Sequence, residues 1–385
     1  APPPPEVTPA ARSAAEAPAR SQSSGGVGDA LLALLCDPNI ASKRWVVRQY
    51  DHEVQGGSAV KPLVGPAGEG PGDASVLRPK AGSHKGVVLG CGLAPHLSEK
   101  ATAEGLAEDG DSYWATLAAV DEAVRNAVCV GADPSRLAIL DNFCWPRCTD
   151  PAQLGSLTRA AVACYDGAMA YGSPFVSGKD SLSNQFVTES GRVITIPPTM
   201  LITAMGVVED VRKCVTMDLK RSGNALLLVG PADVVAGAMG GSFYRRVWDA
   251  QAGTGAIPRV DLALGPAAAK AVAGWIGEGR VASAHDCSEG GWLVAAAEMA
   301  IAGGLGLRLS CAGDAVSAFG EAPSRYVLEV SAEDAGALAA QAEAAGLVCI
   351  DLGEVIEAPR LGWEVGGVDV AVEALFEAWT APLDW

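Results

Sequence analysis

The apolar pattern of residues 113–130 constrains the fold more than any other part of this 385-residue chain. Leu117, Val120, Val124 and Val128 recur at spacings of three and four, which predicts a helix with one buried face. Such a face must pack against another layer of structure. Because segments typical of strands and helices alternate irregularly on both sides of this helix, the sequence predicts an α+β fold rather than a doubly wound sheet.

Length and composition predict two domains and a tail. Hydrophobic residues make up 49% of the chain and aromatic residues only 5%, so we expect a core of small side chains. Residues 1–26 are rich in Ala, Pro, Ser and Gly, which is typical of a disordered linker, and we expect a further segment to have preceded them. We predict linker helices at 27–66 and domains at 67–210 and 218–385.

The charge balance excludes several classes of partner. The chain has 28 basic and 45 acidic residues, a formal net charge of −17, which argues against a nucleic-acid or anionic-membrane surface. No apolar run reaches the length of a membrane span. The 10 cysteines have no framework spacing. We therefore expect free thiols in a reducing cytoplasm and a cytoplasmic protein.

One group of oxygen-bearing side chains is a candidate Mg²⁺ site. Asp73 begins a predicted strand, Glu122 and Asn126 are four residues apart on the helix, and Asp286 lies between a strand and a helix. Carboxylate and amide oxygens are the ligands that Mg²⁺ prefers. The spacing alone does not bring these segments together, and Glu122 and Asn126 taken singly are typical of a solvated helix surface.

Three loops are weaker candidates for ligand contact. A predicted glycine loop at 177–181 could approach phosphates, although a tight turn explains it equally well. Residues 141–146 begin a predicted loop at 141–150 that follows a predicted strand, and 237–242 form either a phosphate loop or a connector. We expect His285 to be a structural hydrogen-bonding residue beside Asp286. No pairing of residues indicates a nucleophile, so we name no catalytic residue.

Seven segments in this order resemble the C-terminal half of phosphoribosylformylglycinamidine synthase, in the aminoimidazole ribonucleotide synthetase superfamily. They lie at residues 50–56, 72–77, 121–126, 141–145, 177–181, 210–218 and 285–291. The resemblance covers about residues 27–385. It implies an N-terminal α+β domain that pairs into a shared barrel, followed by a C-terminal α+β domain. Such an N-terminal domain leaves an apolar barrel edge, for which residues 199–208 are the candidate.

The resemblance also implies an activity and its ligands. The family is an ATP- and Mg²⁺-dependent C–N ligase that converts formylglycinamide ribonucleotide to the amidine in purine biosynthesis, using ammonia from glutamine. Roles carry over to nine positions of this sequence: metal binding to Asp73, Glu122, Asn126 and Asp286, nucleotide (ATP or ADP) binding to Gly72, Asp141, Gly178 and Ser288, and substrate binding to Ser181. One branch of the family has an asparagine metal ligand where this chain has Lys179, so no metal role is assigned there.

Several functional parts of this family's enzymes do not appear in this sequence. Its catalytic histidines and principal substrate residues belong to a first half, and its glutaminase is a further domain or subunit. We therefore expect a dimer or pseudo-dimer with a first half, and no activity in isolation. Two alternatives stay open: a non-catalytic nucleotide-binding subunit, structural or regulatory, and a stand-alone superfamily kinase. Residues 98–111 are predicted to be polar and irregular, and an insert within them at 101–110 lengthens a loop before the predicted helix and could alter access.

Overall fold

A computed structural model describes residues 25–383. Apart from Gly25 and Gly26, the predicted disordered linker lies outside the described residues. The helices are α1 (Val27–Leu35), α2 (Arg44–Val47), α3 (Glu99–Ala103), α4 (Ser112–Cys129), α5 (Pro151–Tyr171), α6 (Phe243–Val247), α7 (Leu264–Gly277), α8 (Gly291–Gly303), α9 (Ala315–Phe319), α10 (Ala332–Ala344) and α11 (Val372–Thr380). Within the described residues, no helix is both long and apolar enough to cross a membrane.

The strands form two large sheets and two short ribbons. They are β1 (Ser58–Val60), β2 (Leu63–Val64), β3 (Gly70–Pro71), β4 (Ala74–Leu77), β5 (Gly86–Gly92), β6 (Leu137–Cys144), β7 (Phe175–Ser181), β8 (Gln185–Val187), β9 (Val193–Thr195), β10 (Thr199–Val208), β11 (Ala225–Gly230), β12 (Val281–Asp286), β13 (Gly306–Leu309), β14 (Tyr326–Val330), β15 (Val348–Ile356), β16 (Arg360–Trp363) and β17 (Val368–Ala371). This mixture of helices and sheets confirms the predicted α+β class.

The first sheet has the order β1-β4-β5-β10-β6-β7. All neighbours are antiparallel except β6 and β7, which are parallel. The predicted helix is α4, which packs on β5 and β10 and lies beside α5. Gly92 of β5 allows this close approach, because a Cβ there would overlap the backbone of α4 and lie 2.5 Å from Ala123 N.

The other face of the first sheet is open. Side chains of β10 alternate, so that Ile202 and Ala204 are buried under the helices while Met205 and Val207 point outward and are 39% and 38% exposed. Leu77 lies on the same outward face, since it pairs with Val87 and Val87 pairs with Val207. Single exposed apolar residues are ordinary, but a continuous apolar sheet face indicates an interaction surface.

The second sheet has the order β12-β14-β11-β15-β13-β16-β17. Every residue of β11 and of β14 is buried, which requires cover on both faces of the sheet. Helices α7 and α10 contact β11, whereas α8 contacts β12, β13 and β14. The first unit meets the second where α4 contacts α7 and β12. The described strands leave a gap between Val208 and Ala225, and the domain boundaries stay predictions.

The structure corrects the local predictions around β6 and β7. Residues 141–150 are predicted as a loop, yet β6 continues to Cys144, and the predicted glycine loop at 177–181 is part of strand β7. Parallel pairing of these two strands, with Asp141 opposite Gly178, explains the difference. Hydrogen bonding to a neighbouring strand is not visible in local sequence and overrides the turn preference of glycine.

Two further predictions are wrong. Strand β10 is predicted as the exposed edge of a barrel, but it lies between β5 and β6, and the edges are β1 and β7. Residues 98–111 are predicted to be irregular, but they contain α3, and the insert within them buries Ala101 and Leu106 against Ile257 and Val260 of the second unit. The predicted linker helices at 27–66 also contribute β1 to the first sheet.

Substituting Gly92 by alanine tests the contact between β5 and α4. We expect Gly92→Ala to lower the free energy of unfolding by about 1–3 kcal/mol, since the new methyl overlaps helix backbone. Gly274→Ala is the control, because this exposed glycine of α7 has open space around its Cβ position and alanine favours the helix. Urea unfolding of both variants is the measurement. Equal stabilities of Gly92→Ala and wild type would contradict the packing described.

Candidate functional site

A cleft of about 250 Å³ lies where the first sheet, α4 and β12 meet. The structure brings six of the nine predicted site residues to its wall: Gly72, Asp73, Glu122, Asn126, Asp286 and Ser288. Gly72 and Asp73 immediately precede β4, Glu122 and Asn126 lie on α4, and Asp286 ends β12. Tertiary packing thus gathers four oxygen-bearing side chains from three segments that are far apart in sequence.

The side chain of Asp73 is completely buried, and its two oxygens differ. Its Oδ1 accepts a hydrogen bond from the backbone N–H of Asp286 at 2.9 Å and lies 2.8 Å from Nδ1 of His285. Its Oδ2 is buried and has no hydrogen-bond partner among the described residues. A buried carboxylate oxygen without a partner is costly, and a bound cation would satisfy it.

Asn126 shows the same asymmetry. Its Nδ2 donates to the carbonyl of Cys91 at 2.8 Å, which fixes the side chain, and its Oδ1 is buried with no partner in the described part of the chain. One turn earlier on α4, Glu122 accepts from the backbone N–H of Leu93 at 2.8 Å. Asn126 is only 9% exposed, so the alternative of a solvated helix surface is wrong for this residue.

Burial and neighbouring negative charges act together on Glu122. Burial raises the pKa of its carboxyl well above the usual value, and Glu289 and Asp286 raise it further. The nearby Arg125 guanidinium and the hydrogen bond from Leu93 act in the opposite direction but do not offset burial. Excess negative charge of this kind is expected where a cation belongs.

Hydrogen bonds to the Asp286 carboxylate are made mainly through one of its oxygens, Oδ2. Its Oδ2 accepts from Nε and Nη2 of Arg125, both at 3.3 Å, and from the hydroxyl of Ser288. Its Oδ1 lies on the side of His285, 3.8 Å from Nδ1. Asp73, His285 and Asp286 offer ligand atoms that all lie within 4.8 Å of one another. Three carboxylates and an amide oxygen around one cleft are a donor set that fits Mg²⁺.

His285, predicted as a structural hydrogen-bonding residue beside Asp286, is hydrogen-bonded to residues of other segments. Its Nε2 lies 3.2 Å from Oε2 of Glu298, and its Nδ1 contacts Asp73 rather than Asp286. Burial lowers the pKa of the imidazole, but the charges and hydrogen bonds of Asp73 and Glu298 raise it well above the ordinary value. The ring therefore holds the Oδ1 side of Asp73 and leaves Oδ2 facing away.

Sequence reasoning missed four further residues that line the cleft or hold its ligands: Lys43, Arg125, Glu289 and Glu298. Lys43 donates to the carbonyl of Asn39 at 3.0 Å and brings a cation to the wall. For Arg125 the sequence does contain a signal: Asp121 and Arg125 are four residues apart on the helix that carries Glu122, a spacing typical of an ion pair. For Lys43 no local signal exists, since its place depends on how the N-terminal segment packs.

The remaining predicted residues, Asp141, Gly178 and Ser181, do not line this cleft. They lie on β6 and β7, separated from β4 by β5 and β10. Asp141 is opposite Gly178, where any Cβ would overlap its carboxylate. Burial raises the pKa of Asp141, and Asp180 adds to the shift. The Lys179 ammonium donates to the hydroxyl of Ser181, so this pair forms a second polar group at the edge of the sheet.

The loop at 237–242 is a connector, and the phosphate-loop interpretation is wrong. Backbone N–H groups of Met239, Gly240 and Gly241 donate to the carbonyls of Thr254, Ala256 and Leu106 at 3.1, 2.8 and 3.0 Å. Groups already bonded within the protein are not available to phosphate oxygens. The glycines are needed because a side chain at Gly240 or Gly241 would overlap neighbouring backbone.

Comparison with known proteins identifies relatives of both units. The family model "AIR synthase related protein, N-terminal domain" matches residues 71–208, and "AIR synthase related protein, C-terminal domain" matches 221–366. The chain is 38% identical over 371 residues to phosphoribosylformylglycinamidine synthase subunit PurL of Deinococcus radiodurans, covering 93% of this chain and 46% of the relative. For the same subunit of Rhodopseudomonas palustris, identity is 37% over 332 residues, covering 85% and 41%.

Solved structures give the same fold. The structure described as Thermotoga maritima PurL complexed with FGAR has a TM-score of 0.65 at 19% identity, covering 91% of this chain and 53% of that one. PurL of the same organism complexed with AMPPCP has a TM-score of 0.62 at 17% identity, covering 92% and 51%. These likenesses confirm the α+β fold with two synthetase-like domains. The chain spans about half the length of the curated relatives it matches.

A buried acid beside the cleft predicts a pH dependence of stability. Glu321 accepts from the N–H groups of Phe243 and Gly290, and burial raises the pKa of its carboxyl from 4.5 to about 8, with Glu289 adding to the shift. Its neighbour His96 has a pKa lowered to about 4, by burial and by Arg246, so it titrates below this window. Between pH 6.5 and 8 the unfolded chain has released the Glu321 proton and the folded chain still holds it, so stability falls as pH rises.

We therefore expect Glu321→Gln to reduce the loss of unfolding free energy between pH 6.5 and 8, by up to about 1.4 kcal/mol per pH unit. Urea unfolding at several pH values in this window measures the slope. Glu289, whose pKa is raised to about 7, and His285 still titrate in the variant and supply a residual slope. Identical slopes for variant and wild type would contradict the raised pKa of Glu321.

Proposed function

We propose that this chain, which belongs to the family of AIR synthase related proteins, binds a Mg²⁺–nucleotide complex in the cleft between its two units. The observation that carries the proposal is a pair of buried oxygens, Asp73 Oδ2 and Asn126 Oδ1, in residues that line the same cleft. Neither oxygen has a hydrogen-bond partner among the described residues. Burying a carboxylate costs free energy, and a bound cation offsets that cost. ATP or ADP carries Mg²⁺ on its phosphates.

In this proposal Asp73, Glu122, Asn126 and Asp286 hold the metal. Mg²⁺ would neutralise phosphate charge and bridge the nucleotide to an acidic wall. The nucleotide would contact Ser288, the backbone around Gly72 and the Lys43 ammonium, which all lie at this wall. The Gly72 N–H already donates to the carbonyl of Pro62 at 2.9 Å and the Ser288 hydroxyl already donates to Asp286, so nucleotide contacts there would use other atoms. Without metal the acidic wall repels phosphate, because two like charges about 4 Å apart cost roughly 4 kcal/mol at an effective dielectric of 20.

We further propose that the chain acts as the second half of a phosphoribosylformylglycinamidine synthase of the PurL type. The names of relatives at 37–38% identity and the fold shared with PurL structures support this assignment. The overall reaction is then the ATP-dependent conversion of formylglycinamide ribonucleotide to the amidine with ammonia from a glutaminase. Asp141, Gly178 and Ser181, away from the metal cleft, would contact nucleotide and substrate at the catalytic site.

A first half, on the same or another chain, is the proposed partner. The open apolar face of the first sheet, with Leu77, Met205 and Val207 exposed, supports pairing with a similar sheet. Since the family's catalytic histidines belong to that first half, we propose that the isolated chain does not form the amidine. Ammonia-dependent ATP turnover would then arise only after a first half is added.

Calorimetric titration of ADP with and without Mg²⁺ tests the metal–nucleotide site. We expect wild type to bind ADP at least ten-fold more tightly with Mg²⁺, and Asp286→Asn to lose most of that gain, since it keeps the shape and removes one charge. Lys179→Ala should weaken this binding much less, because this exposed lysine lies on β7, away from the cleft. Equal affinities with and without Mg²⁺, in wild type and variants alike, would show that the carboxylates form no metal site.

Sedimentation velocity tests the open sheet face. We expect the chain alone to self-associate at tens of micromolar, because an uncovered apolar face is normally paired, and Met205→Glu to make it monomeric. Val365→Glu is the matched control, since Val365 is an exposed apolar residue in a turn of the second unit. A monomeric wild type, or an equal effect of both substitutions, would count against pairing through this face.

A further inference from the structure

We infer that Arg125 is a positioning residue for the metal site: it occupies one oxygen of Asp286 and so presents the other to the cation. This inference rests on the proposed Mg²⁺ site and adds a residue that does not itself bind metal or nucleotide. It also explains the role of Asp121, a buried carboxylate that does not line the cleft: Asp121 anchors the Arg125 guanidinium.

The contacts of Arg125 explain how it orients Asp286. The guanidinium is 5% exposed and directs both Nε and Nη2 at the same oxygen, Asp286 Oδ2, at 3.3 Å. Its Nη2 also donates to the Ser288 hydroxyl at 3.0 Å, and that hydroxyl donates to Asp286 Oδ2. With three donors on Oδ2, the carboxylate cannot rotate without losing hydrogen bonds. Oδ1 therefore stays on the side of Asp73 and His285.

Asp121 anchors the guanidinium. It is 2% exposed, pairs with Nη1 of Arg125, and accepts from the N–H of Ser324 at 2.9 Å. Its other oxygen accepts from the hydroxyls of Tyr171 and Ser324. The carboxylate thus joins α4, α5 and the segment before β14, and Arg125 extends the same network to Asp286.

The position of Ser324 ties this network to the strand that carries Asp286. Ser324 has a φ of +62°, one of two non-glycine residues with positive φ among those described, and it is 1% exposed. Its two hydrogen bonds to Asp121 offset the strain of this backbone conformation. The next residues complete the connection, since the carbonyl of Arg325 accepts from Cys287 N–H and Tyr326 pairs with Asp286.

The charge balance shows why an anchor is required. Arg125 is a buried cation close to two proposed metal ligands, Glu122 and Asp286. Without Asp121 it would pair fully with those carboxylates and compete with the metal for them. With Asp121 carrying the counter-charge, Arg125 orients Asp286 and leaves its second oxygen free. Partners of metal ligands with this kind of role change metal affinity by about 10–100-fold when they are altered.

Mn²⁺ titration of the full chain, followed by electron paramagnetic resonance of the free ion, tests the inference without nucleotide or activity. Arg125→Lys keeps the charge but has a single ammonium that cannot hold Asp121, Ser288 and Asp286 together. We expect it to weaken Mn²⁺ binding at least ten-fold. Asp121→Asn is the second variant, for the case in which Arg125→Lys does not fold, and should weaken Mn²⁺ binding several-fold.

Glu329→Gln is the matched control. Glu329 is fully buried and accepts four hydrogen bonds, from Lys220 N, Arg221 N, Asn224 Nδ2 and Ser283 Oγ, but it does not line the cleft. We expect it to lower thermal stability as the other variants do, and to leave Mn²⁺ affinity at the wild-type value. This separates positioning from a general loss of stability.

Each outcome decides one point. Weakened Mn²⁺ binding in Arg125→Lys or Asp121→Asn, with unchanged binding in Glu329→Gln, supports the positioning role. Wild-type Mn²⁺ affinity in both Arg125→Lys and Asp121→Asn, or an equal loss of affinity in Glu329→Gln, overturns the positioning role and leaves the proposed metal site intact. A wild-type chain that binds no Mn²⁺ overturns the metal site of the proposed function, and this inference with it.

Discussion

The buried ion pairs that run from Asp121 through Arg125 to Asp286 are the contact on which the rest of the structure depends. They cross from α4 of the first unit to β12 of the second, in a place where the charged groups are almost completely shielded from water. Buried charges are expensive to desolvate, so they favour one relative arrangement of the two units in which every partner is present. The cleft exists because this arrangement holds α4 beside β12.

The same packing crowds carboxyl groups into one cleft. Asp73, Glu122, Asp286 and Glu289 line it, and burial together with the neighbouring carboxylates raises the pKa of Glu122 and Glu289, although Lys43, Arg125 and His285 bring cations nearby. Hydrogen bonds occupy Oδ1 of Asp73 and the amide nitrogen of Asn126, and they leave Asp73 Oδ2 and Asn126 Oδ1 without a partner among the described residues. This arrangement supports the proposed cation site, because the fold holds the free oxygens in place without a cation.

Two different surfaces therefore support the proposed function. The cleft between the units is the proposed cation and nucleotide site, whereas the open face of the first sheet is the proposed surface for a partner. Asp141, Gly178 and Ser181 lie on β6 and β7 of that sheet and away from the cleft. The separation of the two surfaces supports the proposal that the chain is one half of a paired enzyme.

The sequence by itself determined the central helix and the fold class. Periodic apolar residues predicted α4, and the irregular alternation of strand-like and helix-like segments predicted the α+β class. These features are local, since a helix or strand must present its apolar residues to a core at its own period. The ordered motifs also predicted which residues share a site, but only through resemblance to a family.

Only the tertiary structure decided the partners of those residues. That Asp141 and Gly178 lie within paired strands, that β10 is central, and that His285 contacts Asp73 and Glu298 all depend on neighbours far away in sequence. Arg125 illustrates the reason. Its position on α4 follows from local periodicity, but whether a buried charge stabilises or disrupts a site depends on which counter-charges the fold brings within hydrogen-bond distance.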